Sequence, residues 1–299
     1  MILPNFLVIG APKAGTTALY HYLKEHPQVF MSPIKEPKFF ALEGERVDFQ
    51  GPHDYKKDYV TDINAYHTLF KDVSDESAIG EVSPWYLYLP KTAERINHYI
   101  PNTKLITILR DPVERAYSHF SSLVSKDHEP LTDFTQAMEA EEMRMRNNWS
   151  PRWHYKQRGF YYSQIKRYFN LFDQSQIKIY LYEDFKANPI GVLQDIFRFI
   201  EVDDEFAPNI SQKHHVTYMR RNEVLHKFFV EENLAKSILK PLISSNLRQC
   251  VKANLINLNI RKRPKLQPEV RKRFIEVYRE DILNLQGLIQ RDLSAWLEV

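Results

Sequence analysis

Short, largely apolar runs alternate along this chain with longer stretches whose apolar positions recur at helical spacing. Residues 6–10, 78–82, 104–109 and 177–182 read as strands. Their near-continuous hydrophobicity is that of strands covered on both faces. Residues 28–31 form a further short extended piece. Helices are predicted at 16–26, stopped by Pro27, at 91–99, ended before Pro101, and at 112–125, with Pro112 in the first turn. Residues 133–146 read as one more helix, opened by the capping-box spacing of Asp133 and Gln136. The stretch 147–162 is rich in Trp, Tyr and Arg, and a helix follows it to about Phe172. Residues 189–200 put Val192, Leu193, Ile196, Phe197 and Ile200 on one helical face. Residues 41–77 lack clear periodicity and read as a surface excursion with a short helix near 63–70. The last hundred residues are mainly helical, with a basic break at 259–265. This alternation predicts an α/β fold. Its sheet is parallel and P-loop-like, flanked by helices, with a helical C-terminal part and a site at the carboxyl ends of the strands.

Composition narrows the classes. The 299 residues are 43% hydrophobic and 26% charged, enough core for one large domain, and residues 1–299 are read as a single one. A net charge of +3 is too mild to argue for nucleic-acid binding and fits an anionic ligand held locally. The single cysteine, Cys250, rules out an internal disulfide and suggests a reducing compartment. Residues 1–5 enter the first strand without the pattern of a signal peptide, and no apolar run approaches the roughly 20 residues that span a bilayer. A cytoplasmic location is the expectation, with a piece of an anchored protein that lacks its anchor as the alternative. His214 and His215 are adjacent, point different ways and have no third ligand at useful spacing, so no metal is expected. His53, His98 and His119 are bases by type alone. The sequence sets no oligomeric state.

The chemistry concentrates at residues 8–17, Val-Ile-Gly-Ala-Pro-Lys-Ala-Gly-Thr-Thr, between the first strand and the first helix. Such a loop aims backbone N–H groups and a positive helix end at a phosphate. Gly10 and Gly15 have the spacing of a Walker A loop, G-x-x-x-x-G-K-[ST]. Thr16 stands where its lysine belongs, and the loop's lysine is Lys13. The stretch 12–17, Pro-Lys-Ala-Gly-Thr-Thr, resembles the 5′-phosphosulfate loop of sulfotransferases that use 3′-phosphoadenosine 5′-phosphosulfate (PAPS), in their carbohydrate-type and bacterial branch.

Other motifs are similar to the same family's. The block 110–118, Arg-Asp-Pro-Val-Glu-Arg-Ala-Tyr-Ser, resembles its 3′-phosphate element, which implies Arg110 and Ser118 as ligands of that phosphate. Taken alone, Arg110 could equally pair with Asp111 or Glu114. Lys35-Glu36-Pro37-Lys38-Phe39-Phe40 resembles a Glu-x-x-Phe-Phe element whose glutamate is the base, here Glu36, with Phe40 beside the acceptor. Without the resemblance it is a charged turn leading into an apolar anchor. Residues 80–86 resemble the acceptor-shaping element of heparan sulfate sulfotransferases and implicate Ser83 and Trp85. Val82 replaces a lysine there, which hints at a less charged acceptor. Arg158-Gly159-Phe160-Tyr161 is similar to a segment beside the substrate cleft and implicates Tyr161, although a core tyrosine fits as well. In Met219-Arg220-Arg221-Asn222, Arg221 is implied to close over the 3′-phosphate, against the plain reading of an exposed helix start. Residues 291–297 resemble the usual ending of bacterial relatives, with Trp296 a packing anchor.

The resemblance implies an enzyme that moves a sulfuryl group from PAPS to a hydroxyl or amine of a small metabolite or carbohydrate. It needs no metal and leaves 3′-phosphoadenosine 5′-phosphate (PAP). Glu36 is implied as base. Lys13, with Ala14, Gly15, Thr16 and Thr17, is implied to hold and stabilise the departing 5′-phosphate. A P-loop kinase of a small metabolite and a non-catalytic nucleotide-binding protein stay open. Residues 144–158 are read as a possible lid.

Overall fold

The computed structural model describes residues 2–52, 59–211, 218–220, 260–262 and 264–299. Five strands, β1 Phe6–Gly10, β2 Val29–Met31, β3 Ala78–Val82, β4 Lys104–Leu109 and β5 Ile177–Leu181, form one sheet in the order β2-β3-β1-β4-β5. Each of the four pairings is parallel. Every residue of β1 is buried, as the central strand of a sheet covered on both faces should be. The connection from β1 runs toward β2 and that from β4 runs toward β5, so the strand order reverses between them. A crevice opens at such a point, at the carboxyl ends of the strands. There the β1–β4 register shifts between Val8 and Gly10, freeing β1 to turn into its loop.

The helices follow from local signals. In α1, Thr16–Glu25, the N-cap is Gly15 at φ +91°, a left-handed conformation that glycine adopts without steric cost. Two single-turn helices, α2 Phe39–Leu42 and α4 Trp85–Tyr88, were not read from the sequence; α3 Ile63–Thr68 and α5 Thr92–Tyr99 were. In α6, Pro112–Val124, the Asp111 side chain accepts from Val113 N–H at 2.8 Å and Glu114 N–H at 3.0 Å, with Pro112 in the first turn. The expected helix over 133–146 is two: α7 Phe134–Glu139 and α8 Glu141–Arg146, meeting at Ala140. Tertiary bonds set the break. The buried Glu141 carboxylate accepts from Gln157 N–H at 2.7 Å and from Lys156 N–H, so α8 is aimed at a distant segment. Then come α9 Tyr161–Phe169, α10 Tyr182–Ala187 and α11 Pro189–Phe199. The long C-terminal helix α12, Pro268–Ile289, packs against α6 and α9.

Strands β6 Tyr218–Arg220 and β7 Ile260–Lys262 pair antiparallel, and β6 lies beside α6. Residues 219–220, where the plain alternative reading had an exposed helix start, are strand, and β7 lies within the basic break. Arg221, His53, His214, His215 and Cys250 lie outside the described residues. Among the described residues no helix is long and apolar enough to cross a membrane, and no group of His, Cys, Asp and Glu gathers that could hold a metal ion.

Candidate functional site

A cleft of about 900 Å³ opens where the strand order reverses, and the β1–α1 loop forms its floor. Pro12, Lys13, Gly15, Thr16 and Thr17 line it. The first N–H groups of α1 have no partner within the helix and no side-chain cap, so the positive end of the helix faces the cleft. Ala14 is different: its methyl is buried in the core and its N–H bonds to Ala11 O at 3.3 Å, closing the turn. Lys13 is half-buried at the cleft floor. Burial, then the charges of Lys126 and Arg110, bring its ammonium down to about 8, and Glu36 only partly offsets them. An ammonium held this way is poised to gain stability from an anion.

Arg110 leaves the end of β4 and donates to Lys13 O at 3.1 Å, tying the two strand ends together. Its guanidinium stacks on the Tyr182 ring, 4.6 Å from the centroid, and only weakly approaches Glu114 at 3.5 Å. Of the two partners the alternative reading offered, Glu114 is the one that Arg110 meets, at 3.5 Å, while Asp111 caps α6 and binds Arg271 at 2.7 Å. Ser118, two turns into α6, faces the same cleft with Arg110, as do Ser122 and Lys126.

Across the cleft, the 32–38 loop is stitched to the end of β3 by Ser32 N–H to Gly80 O at 2.9 Å and Glu36 N–H to Val82 O at 3.0 Å. Glu36 (φ +64°) and Lys38 (φ +61°) both take left-handed backbone, uncommon for residues with side chains and tolerated where surrounding bonds fix it. The twist turns the Glu36 carboxylate into the cleft, where it meets Lys35 Nζ at 2.7 Å. Burial alone would raise its pKa. The ammoniums of Lys35 and Lys38, with Arg158, outweigh burial and bring it to about 2. Glu36 is therefore an ionised acceptor of protons at any working pH.

The sequence-based acceptor residues separate. Trp85 lines the cleft. Phe40, Ser83 and Tyr161 do not; they support it from behind. Phe40 is fully buried and meets the rings of Tyr66 and Tyr86 edge to face. Ser83 donates to the Glu81 carboxylate at 2.9 Å and accepts from Lys38 N–H at 3.3 Å, so its hydroxyl is spent on holding the loop. Tyr161 donates to Arg110 O at 3.0 Å. Glu81 anchors this backing: it is fully buried and accepts from Tyr66 at 2.7 Å and Tyr86 at 2.6 Å. Burial raises its pKa to about 7 despite these three donors.

Three further cleft residues stood in the sequence without a site role, Lys38 and Arg158 inside quoted motifs and His119 as a base by type alone. Lys38 lies over the rings of Tyr59 and Trp85, at 4.8 and 5.1 Å. Arg158 reaches the cleft from a 3₁₀ turn, Gln157–Gly159. A Cβ at Gly159 would stand 2.8 Å from the Tyr278 ring, so only glycine lets the turn close on α12. His119 also lines the cleft, against expectation. It is kept neutral, first by burial and then by Arg158 and Arg115, and its Nδ1 has no hydrogen-bond partner among the described residues. Tyr182 could have been suspected, because it directly follows the carboxyl end of a strand.

The family model described as a sulfotransferase domain matches residues 3–286. The chain belongs to the sulfotransferase domain family. It is similar to carbohydrate sulfotransferase 15 of Homo sapiens, 30% identical over 249 residues, covering 67% of this chain and 44% of that one. A bifunctional heparan sulfate N-deacetylase/N-sulfotransferase 4 of Mus musculus is 30% identical over 210 residues, covering 68% of this chain and 23% of the relative. The chain thus spans less than half the length of these curated relatives. The crystal structure of a sulfotransferase from Alicyclobacillus acidocaldarius is similar along nearly the whole chain, with a TM-score of 0.77, 31% identity and 99% coverage of both chains.

Proposed function

We propose that this chain transfers a sulfuryl group from PAPS to a hydroxyl or amine of a small-molecule or carbohydrate acceptor. The observation that carries the reading is the shared cleft: the Lys13 loop with its open helix end, the Arg110–Ser118 wall and the ionised Glu36 all face it. Its volume suits a nucleotide plus part of an acceptor. One continuous hydrophobic core from Phe6 to Trp296 supports a single sulfotransferase domain.

In this reading Arg110 and Ser118, with Arg221, bind the 3′-phosphate, the arginine supplying a planar fork and the serine a third bond. Gly15, Thr16, Thr17 and the adjoining N–H groups hold the 5′-phosphate, and Ala14 shapes their turn. Glu36 takes the proton of the acceptor as the acceptor atom bonds to sulfur. The sulfur–oxygen bond to the 5′-phosphate breaks, its electron pair stays on that oxygen, and Lys13 stabilises the charge formed there. Trp85 offers the acceptor a flat apolar wall. Phe40, Ser83 and Tyr161 keep their expected place in acceptor recognition only indirectly, through the loop and wall that they brace. No residue in this scheme needs a metal.

Calorimetric titration with PAP and with ATP, both without magnesium, tests the reading. Micromolar PAP binding is expected, weakened about a hundredfold or more in Arg110→Ala, since hydrogen bonds to charged groups contribute about 1.5–3 kcal/mol each. Preference for ATP, or binding only with magnesium, would refute it in favour of phosphoryl transfer.

A further inference from the structure

His119 is 7% exposed and still lines the cleft. It follows Ser118 on α6, and the charges that act on its ring come from several elements. Arg158 and Arg152 belong to the stretch between α8 and α9, Arg115 to α6 itself and Lys13 to the β1–α1 loop. The imidazole thus stands between the floor of the cleft and the wall that carries Arg152 and Arg158. Tyr155 meets it edge to face, with centroids 5.2 Å apart and planes at 89°, and this contact fixes the plane of the ring. Nδ1 is sealed from solvent without a hydrogen-bond partner among the described residues. The edge turned to the cleft is therefore the one that carries Nε2.

The place of the proton follows from this setting. A hydrogen on Nδ1 would be a buried donor with nothing to accept it. The guanidiniums of Arg115 and Arg158 favour a lone pair over a hydrogen on the sealed side of the ring. The proton is assigned to Nε2. Burial and the same cations keep a second proton from binding, so the ring is a poor base and a fixed neutral donor. Glu36, ionised, and His119, neutral, suit opposite roles in one cleft.

We propose that His119 is a catalytic residue whose Nε2–H donates to an oxygen of the sulfuryl group while that group passes from donor to acceptor. The proposal rests on the sulfotransferase reading and adds a residue to it. In the step, the acceptor atom bonds to sulfur and its proton goes to Glu36. The bond from sulfur to the bridging oxygen breaks, and the electron pair stays on that oxygen, beside Lys13. His119 gains and loses no proton. The three sulfuryl oxygens flatten into a plane midway, and a fixed N–H on one of them keeps sulfur in line between the leaving oxygen and the nucleophile. The nucleophile is not the partner of this N–H, because a donor there would hold back the electron pair that attacks sulfur.

Two ligands test it by calorimetry: PAP, and a PAPS analogue with a methylene in place of the bridging oxygen, which keeps the sulfonate and cannot transfer it. His119→Phe should leave PAP affinity unchanged and weaken the analogue about tenfold, the share of one hydrogen bond to a charged group. His119→Gln, which keeps a neutral N–H, should bind the analogue within about threefold of wild type. His119→Leu replaces the phenylalanine variant if that one does not fold. The wild-type advantage for the analogue should be the same at pH 5.5 and 7.5, since a neutral donor does not titrate there. Equal losses for PAP and analogue, or no loss for either, overturn the proposal, as does a glutamine variant as weak as the phenylalanine one. So does a wild type that binds PAP but not the analogue. An advantage that falls from pH 5.5 to 7.5 marks an imidazolium and overturns the neutral donor. Failure of the wild type to bind PAP would instead overturn the sulfotransferase reading.

Discussion

Binding of a polyanion at the β1–α1 loop should draw a proton from solvent above neutral pH, and Lys13 should be where it goes. In the free protein, burial and the neighbouring Lys126 and Arg110 lower this ammonium from 10.5 to about 8. Holding the charged form in the empty cleft therefore costs about 3 kcal/mol relative to water, at 1.36 kcal/mol per pKa unit. A phosphate placed against Lys13 opposes those causes and returns the pKa toward its ordinary range. Between about pH 8 and 10 the free protein then carries a neutral Lys13 and the complex a charged one. The dissociation constant for PAP should stay level just below pH 8, then rise up to tenfold per pH unit, and close to one proton should be taken up per ligand near pH 9. Calorimetry at pH 9 in two buffers of different ionisation enthalpy counts that proton. Lys13→Ala should bind more weakly with no uptake. Stability of the free fold runs the other way: between about 8 and 10.5 the unfolded chain binds more protons at this site, so the fold gains stability as pH rises. Uptake near zero in the wild type, or equal uptake in Lys13→Ala, would refute the role given to this side chain.

Glu36→Gln should leave PAP affinity unchanged and slow sulfuryl transfer by about 10²–10⁴, the usual worth of a positioned base; a steady-state rate equal to wild type would remove Glu36 from that role. Because its pKa lies at about 2, the wild-type rate should show no acid limb from this group above about pH 4. Glu81, raised to about 7 chiefly by burial, binds a proton in the folded state between 4.5 and 7 that the unfolded chain has lost. Its contribution to stability is thus full below 4.5 and declines as pH rises through 7. Glu81→Gln should flatten the melting temperature over that window relative to wild type; parallel pH curves for the two proteins would contradict the raised value.

The side of the cleft built from the Lys13 loop and the 110–118 block was legible because its signals are local. The Lys13 loop with α1, and Arg110 with Asp111, Pro112 and Ser118, are contiguous residues whose strand, cap and helix signals fix their geometry before any tertiary contact forms. The opposite side of the cleft is assembled at long range. Arg158 enters the cleft only because Gly159 closes on Tyr278, more than a hundred positions away in the chain. His119 is one residue from Ser118, yet its place beside Arg158 depends on that same packing. Ser83 and Tyr161 sit in the correct segments, but their hydroxyls are claimed by Glu81 and by Arg110 O, choices that motif spacing does not reveal. The break at Ala140 has the same origin, since Glu141 answers to the backbone at 156–157 rather than to its own helix.

Glu36 is fastened to the end of β3, and Lys13 and Arg110 leave the ends of β1 and β4. Arg152 and Arg158 instead belong to a stretch between α8 and α9 that contributes no strand to the main sheet. That stretch is nonetheless packed into the frame: Trp153 and Tyr155 are buried, and the Tyr155 ring meets His119 and Phe120 of α6, the helix that carries Ser118. A change of side chain at 153 or 155 would therefore reach the Arg110–Ser118 wall through α6, so the two sides of the cleft are set together and cannot be exchanged one without the other.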